Sequence, residues 1–299
     1  MTYKKITIAL LIVIGLTAIL LCVFVFRSSN DSPSRDDVTA DAAVADSVKK
    51  DGAPVISPEP SSEDPVVTGP AVDPEPMATP EVSLKKLYKN TPATTIIDVE
   101  GQTKKELKKL FYVKKIDDKT FASMQGKSYP SNCIIPRSAL RRVRILYLGF
   151  DQETHIGELI VNVSRAEEFR YVFQKLYFKK YELEKVQPID AYGGSDRKSM
   201  KDNNTSCFNF RVVAGTTHLS NHAYGVAVDV NPKINPYIWW SGGKLKVSPK
   251  NGAPYADRTK DFPHKITHTD LCYKLYHNLG YTWGGDWTSS KDYQHFQKK

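Results

Sequence analysis

Between Ile6 and Phe26 the chain carries 21 consecutive residues without a charge. At about 1.5 Å per residue, a helix of that length crosses a hydrocarbon core of about 30 Å. Lys4 and Lys5 precede the run, and Arg27 and Asp31 follow it. This predicts a membrane anchor over 1–29 with its N-terminus in the cytoplasm, which puts the rest of the chain outside. One alternative is a cleaved signal peptide. The run is longer than an h-region of about 7–15 residues, and no small-residue cleavage site follows it. Another is a lipidation signal ending at Cys22, but Leu21 stands where a small residue is expected and apolar residues continue past Cys22.

Residues 30–84 hold three basic and twelve acidic residues. Stretches such as SPEPSSEDP and DPEPMATPE lack the apolar side chains needed to offset ordering entropy, and their prolines remove backbone donors. A disordered linker is expected, with a coil span of about 40 Å that Pro and charge would extend. The whole chain is +9, but residues 85–299, with 36 basic and 21 acidic residues, are +15. These figures exclude a fully disordered chain, a collagen, a multi-span membrane protein and a disulfide-dense mini-scaffold.

The remaining 85–299 suffices for one substantial core. VRILYLGF (143–150) and HIGELIVNV (155–163) read as β-rich runs joined by the polar turn 151–154. Ser164-Arg165-Ala166-Glu167 has the capping-box pattern, followed by Ala166, Phe169, Val172, Phe173 and Leu176 on one helical face. Thr269 opens a second helical pattern with Leu271, Leu275 and Leu279 on one side and Gly280 at its end. Phe208–Val213 and Val226–Val230 read as short strands. Hairpins with separate helices predict an α+β fold, a small antiparallel sheet with flanking helices. Cys133, Cys207 and Cys272 allow at most one internal disulfide, with no pairing favoured.

The densest chemical signal is Ser220-Asn221-His222-Ala223-Tyr224-Gly225-Val226-Ala227-Val228-Asp229-Val230-Asn231-Pro232. Val226, Val228 and Val230 share one strand face, and Ala227 and Asp229 the other. Gly225 lets the backbone turn so that His222 can fold back towards Asp229. Imidazole plus carboxylate suits Zn²⁺, whose catalytic sites take three protein ligands. The third candidate is His295, in Asp292-Tyr293-Gln294-His295-Phe296. Asp292, three residues before it, is placed to act as general base on a water acidified by the metal. Asp286, in Gly284-Gly285-Asp286-Trp287, competes for that role.

The pattern SxHxxGxAxD, then WGGDW and DxxHF, resembles the D-alanyl-D-alanine carboxypeptidase (VanY-type) zinc peptidases, within the hedgehog/DD-peptidase fold group. The resemblance covers roughly 135–299 and includes Ser199-Met200, Asn203-Asn204-Thr205-Ser206 and Phe208-Asn209-Phe210-Arg211. It implies that His222, Asp229 and His295 bind zinc and that Asp292 is the catalytic acidic residue. Many relatives have Glu at that position and Trp before the His, where this chain has Asp292 and Gln294. It further implies that Arg211 polarises the scissile carbonyl or pairs with a substrate carboxylate, and that Ser220 lies on the substrate side. The implied substrates are peptidoglycan stem peptides in the cell envelope. A D-Ala–D-Ala carboxypeptidase is expected first; an endopeptidase of the same family or a non-catalytic wall-binding module are the alternatives.

His155, His264, His268 and His277 show no partner pattern and are expected in surface or polar networks. Tyr237-Ile238-Trp239-Trp240 is expected to form core or groove wall. No nucleic acid is expected as a partner: nothing resembles a nucleic-acid fold, the anchor puts the domain outside the cytoplasm, and attraction to an anionic cell-wall polymer is the simpler account of the charge.

Overall fold

The computed structural model describes residues 88–89 and 91–298. The expected anchor over 1–29 and linker over 30–84 lie outside the described residues. Among the described residues, no helix is long and apolar enough to cross a membrane.

In chain order the elements are α1 (Lys104–Lys108), β1 (Tyr112–Lys115), α2 (Asp118–Met124), β2 (Leu140–Leu148), β3 (Thr154–Asn162), α3 (Ala166–Phe178), β4 (Lys185–Val186), α4 (Asp196–Lys201), β5 (Asn204–Thr205), β6 (Ala227–Asp229), β7 (Tyr237–Ser241), β8 (Lys244–Ser248), α5 (Leu271–Asn278), β9 (Thr282–Trp283), β10 (Ser290–Asp292) and β11 (His295–Gln297). They form three small antiparallel sheets, β1-β2-β3, β10-β7-β8 and β6-β11-β9, plus the parallel pair β4-β5. The α+β reading therefore holds, with three small sheets where one was expected.

The hairpin expected over 143–163 is β2–β3, in register from Leu140↔Asn162 to Leu148↔Thr154. The apolar face of α3 is buried as expected, through Ala166, Phe169, Val172, Phe173 and Leu176. Its start differs. Arg165 occupies the N-cap position without a side-chain cap, because Asn162 Oδ1, at the end of β3, accepts from both the backbone and the hydroxyl of Ser164. In α5 the cap is Asp270 rather than Thr269, its carboxylate accepting from Cys272 N and Tyr273 N. Cys272 and Tyr276 form the buried face of α5, while Leu271, Leu275 and Leu279 are only partly covered. Gly280 ends this helix at φ 82°, the left-handed region that favours glycine.

Tyr276 stacks on Phe296 of β11 at 5.0 Å and meets Phe169 of α3 edge-on at 5.8 Å. Phe296, Val228, Val230 and Trp283 join the same core as the hairpin and α3. Burying each such side chain contributes about 1.5–3 kcal/mol. Successive strand residues point to opposite faces, so driving Phe296 and Val228 into the core turns His295 and Asp229 the other way. Among the described residues Cys133, Cys207 and Cys272 are free thiols, with Cys207 and Cys272 buried.

The segment 208–213, expected as a strand, forms none. Its amides go to four different neighbours, Phe208 N to Ile160 O, Asn209 N to His222 O, Phe210 N to Ser128 O and Val213 N to His218 O, with a lone antiparallel bridge between Val212 and Leu219. Scattered partners leave no ladder, and the segment acts as a spacer between β3 and the turn carrying His222.

Candidate metal centre

His222 lies in a single 3-10 turn, Asn221–Tyr224. Ser220 caps it, its hydroxyl accepting from His222 N at 3.3 Å. Gly225 closes it at φ 67°, and a Cβ there would stand 2.7 Å from the Asn162 nitrogen. Glycine is thus required twice, for conformation and for the approach to β3. Asn162 fastens the turn, donating from its backbone to Gly225 O at 2.8 Å and from its amide to Tyr224 O at 2.9 Å.

Asp229 and His295 come together through strand register, as directly opposed residues of β6 and β11. His295 Nδ1 lies 2.9 Å and His222 Nε2 3.2 Å from the same oxygen, Asp229 Oδ1. The two imidazole nitrogens are 3.1 Å apart. All three side chains are buried, and one donor atom from each falls within 4.8 Å of the others. These are the three residues expected as ligands.

The outer nitrogens set the tautomers. His222 Nδ1 faces Cys207 O at 2.6 Å, and His295 Nε2 faces Gln297 Oε1 at 2.9 Å. A carbonyl oxygen only accepts, so each outer nitrogen carries a hydrogen, and each inner nitrogen can present a lone pair when its imidazole is neutral. Two lone pairs and a carboxylate converging in a buried site call for a cation, so the residues present fit a Zn²⁺-type metal. Burial raises the carboxyl pKa of Asp229, but the charges and hydrogen bonds of the two histidines outweigh it and hold the carboxyl well below the usual range. Burial lowers the His295 pKa, and Asp229 overrides it, raising the imidazole to about 9. Both shifts describe a site that holds positive charge. Cys207 contributes only its carbonyl, because burial and the charge of Asp229 push its thiol well above the usual range.

Asp292 ends β10, opposite Tyr237 of β7. Its Oδ1 is buried without a hydrogen-bond partner. Burial and then the charge of Asp229 raise its carboxyl to about 7, against the pull of His295, the Gln294 amide and His222. Asp286, the competing carboxylate, instead accepts from the exposed His268 at 2.7 Å and is itself half exposed. The Gly-Gly turn supports Asp292 from behind. A Cβ on Gly284 would stand 2.6 Å from Asp292 O and 2.7 Å from its Cβ, while Trp283 Nε1 donates to Tyr293 O at 2.9 Å. Gly284→Ala is expected to destabilise the fold by about 1–3 kcal/mol through overpacking and to displace Asp292. Thermal melts, read beside activity per folded molecule, check this; a variant unchanged in both would refute the support role.

The remaining two expected residues are placed differently from one another. Arg211 pairs with Asp196 of α4 at 2.8 Å, each side chain a little over one quarter exposed, and its Nε is buried without a partner. Ser220 is buried and engaged as the cap just described. His155 bonds Asp151 and Thr94, His264 stacks on Phe150 and His277 on Tyr273, as expected of network residues.

One residue of the site went unnoticed in the sequence. Gln297 Oε1 accepts from His295 Nε2 and also from the Asn221 amide. Strand periodicity was the available signal, since Gln297 lies two residues after His295 and shares its face. Gln297→Ala is expected to lower metal affinity about 10–100-fold, the usual effect of losing a residue that orients a ligand. Competition with a chromophoric chelator measures it, and unchanged affinity would remove Gln297 from the site.

No curated protein and no solved structure matches the chain. The family model described as D-alanyl-D-alanine carboxypeptidase matches residues 214–298. That stretch holds His222, Asp229, Asp292 and His295 together, and over it the chain is similar to the D-alanyl-D-alanine carboxypeptidase family.

Proposed function

We propose that the protein is a zinc-dependent peptidase of peptidoglycan stem peptides, cutting the terminal D-Ala–D-Ala bond. The convergence of His222 Nε2, Asp229 Oδ1 and His295 Nδ1, each imidazole held by an acceptor on its outer side, carries this reading. A zinc ion bound there supplies a Lewis acid that acidifies water and polarises a carbonyl oxygen. Asp292, whose carboxyl is raised to about 7 in the metal-free site by burial and Asp229, is the buried carboxylate assigned to take a proton from the attacking water and return it to the leaving amine. Arg211, oriented by Asp196, is the group assigned to the substrate carboxylate. Ser220 acts by holding the His222 turn. The uncharged run Ile6–Phe26 supports a domain tethered to the membrane on its outer side, and the +15 of 85–299 supports attraction to an anionic wall polymer.

Digestion of purified muropeptides by the full-length chain, with zinc and with chelator, tests the reading by product mass. Metal-dependent loss of a single D-Ala is the expected result. Free dipeptide or split cross-links would move the cut to an endopeptidase position. Muropeptide binding with no metal-dependent product would leave a binding module in place of an enzyme.

A further inference from the structure

The sheet that carries Asp292 continues into a second cavity. Directly opposed residues of an antiparallel pair leave the sheet on one face. Asp292 opposes Tyr237, and Ser290 opposes Trp239. Tyr237 and Trp239 are two residues apart on β7 and share that face, their rings stacked at 5.0 Å and 19°. Trp239 therefore lies about 7 Å beyond the Tyr237–Asp292 pair, one pleat repeat along the strand.

There Trp239 and the buried Pro249 line a cavity of about 620 Å³ together with Arg197, Lys198, Lys201 and Lys250. Three of these cations come from α4, and the fourth follows β8. All four are exposed. Nearby acids are engaged elsewhere, Asp196 with Arg211 and Asp202 with Lys185. Among the described residues none of the four cations has an ion-pair partner. Uncompensated positive charge around a concave, partly apolar floor concentrates anions. The indole supplies a flat apolar surface on which a ring can lie.

We propose that this cavity is a subsite for an acidic carbohydrate, the sugar ring lying on Trp239 and its anionic group among the α4 cations and Lys250. The inference rests on the peptidase reading above and extends it from the peptide to a neighbouring muramic acid that carries no peptide, whose lactyl carboxylate is free.

The test is calorimetric titration of the full-length protein with three peptide-free probes. These are the N-acetylglucosamine–N-acetylmuramic acid disaccharide, the neutral N-acetylglucosamine dimer and a glycerol phosphate oligomer. The acidic disaccharide is expected to bind at least about tenfold more tightly than the neutral dimer, and progressively less tightly from about 50 to 300 mM salt. The double variant Lys198→Ala/Lys201→Ala and, separately, Trp239→Ala are each expected to lose about tenfold in affinity, while Lys244→Ala, on the same hairpin outside the cavity, retains it. Binding of the glycerol phosphate oligomer in place of the disaccharide would overturn the carbohydrate assignment. Equal affinity for acidic and neutral dimers, or full affinity in the Lys198→Ala/Lys201→Ala variant, would overturn the proposal. Nothing is hydrolysed in these titrations, so failure of the peptidase reading shows separately, as the lack of metal-dependent product from muropeptides.

Discussion

His295→Ala will strip the protein of its metal and of its hydrolytic activity together. Structural zinc bound by four ligands is held by about 10–16 kcal/mol, or about 3 kcal/mol per ligand, so losing one costs on the order of two powers of ten in affinity. Here the loss is compounded. Asp229 Oδ1 gives up its 2.9 Å contact with His295 and keeps only His222, at 3.2 Å. The fold should survive, because the neighbouring Phe296 keeps β11 in the core by stacking on Tyr276. Metal content after dialysis, a chelator-competition titration and near-UV circular dichroism measure the three parts. Undiminished metal in a folded His295→Ala protein would show that the ligand set is wrong.

Asp292→Asn should separate chemistry from metal binding. A positioned acid–base group contributes typically about 10²–10⁴-fold to rate, so kcat should fall by that range while metal content stays whole. Stability should move in the opposite direction. In metal-free protein the folded carboxyl sits at about 7 against an ordinary 3.8. The folded state binds the proton more tightly than the unfolded chain, so the linked stability is present below pH 3.8 and is lost as pH rises through about 7. The amide cannot ionise and escapes that loss. Metal-free Asp292→Asn should therefore melt higher than metal-free wild type at pH 8, by more than at pH 5. An Asn variant with wild-type turnover would transfer the acid–base role elsewhere, and Asp286, held by His268, is then the residue to replace.

The three candidate ligands were legible because their geometry is local or periodic. Gly225 after His222 signals a turn, alternation separates Asp229 from the valines, and the D-x-x-H-F pattern places His295 beside a core phenylalanine. The hairpin and the buried face of α3 were legible for the same reason of periodicity. Local pattern misled where distant partners compete. Ser164 looks like a helix cap, but Asn162 takes its backbone and hydroxyl first. Residues 208–213 look like a strand, but their amides are claimed by Ile160, His222 and Ser128.

The sequence by itself brought two histidines and an aspartate forward as candidate metal ligands, through their motifs and the resemblance those motifs carry, and it separated an acidic segment from a basic one. Only the tertiary structure separates Asp292 from Asp286, because it shows one carboxylate pressed against the charge of Asp229 and the other drawn off by His268. It also decided that Ser220 holds a turn, that Arg211 is tied to Asp196, and that Gln297 fixes the tautomer of His295. Each of these depends on burial and on hydrogen bonds between elements, and neither periodicity nor composition encodes where a side chain meets a partner from another part of the chain.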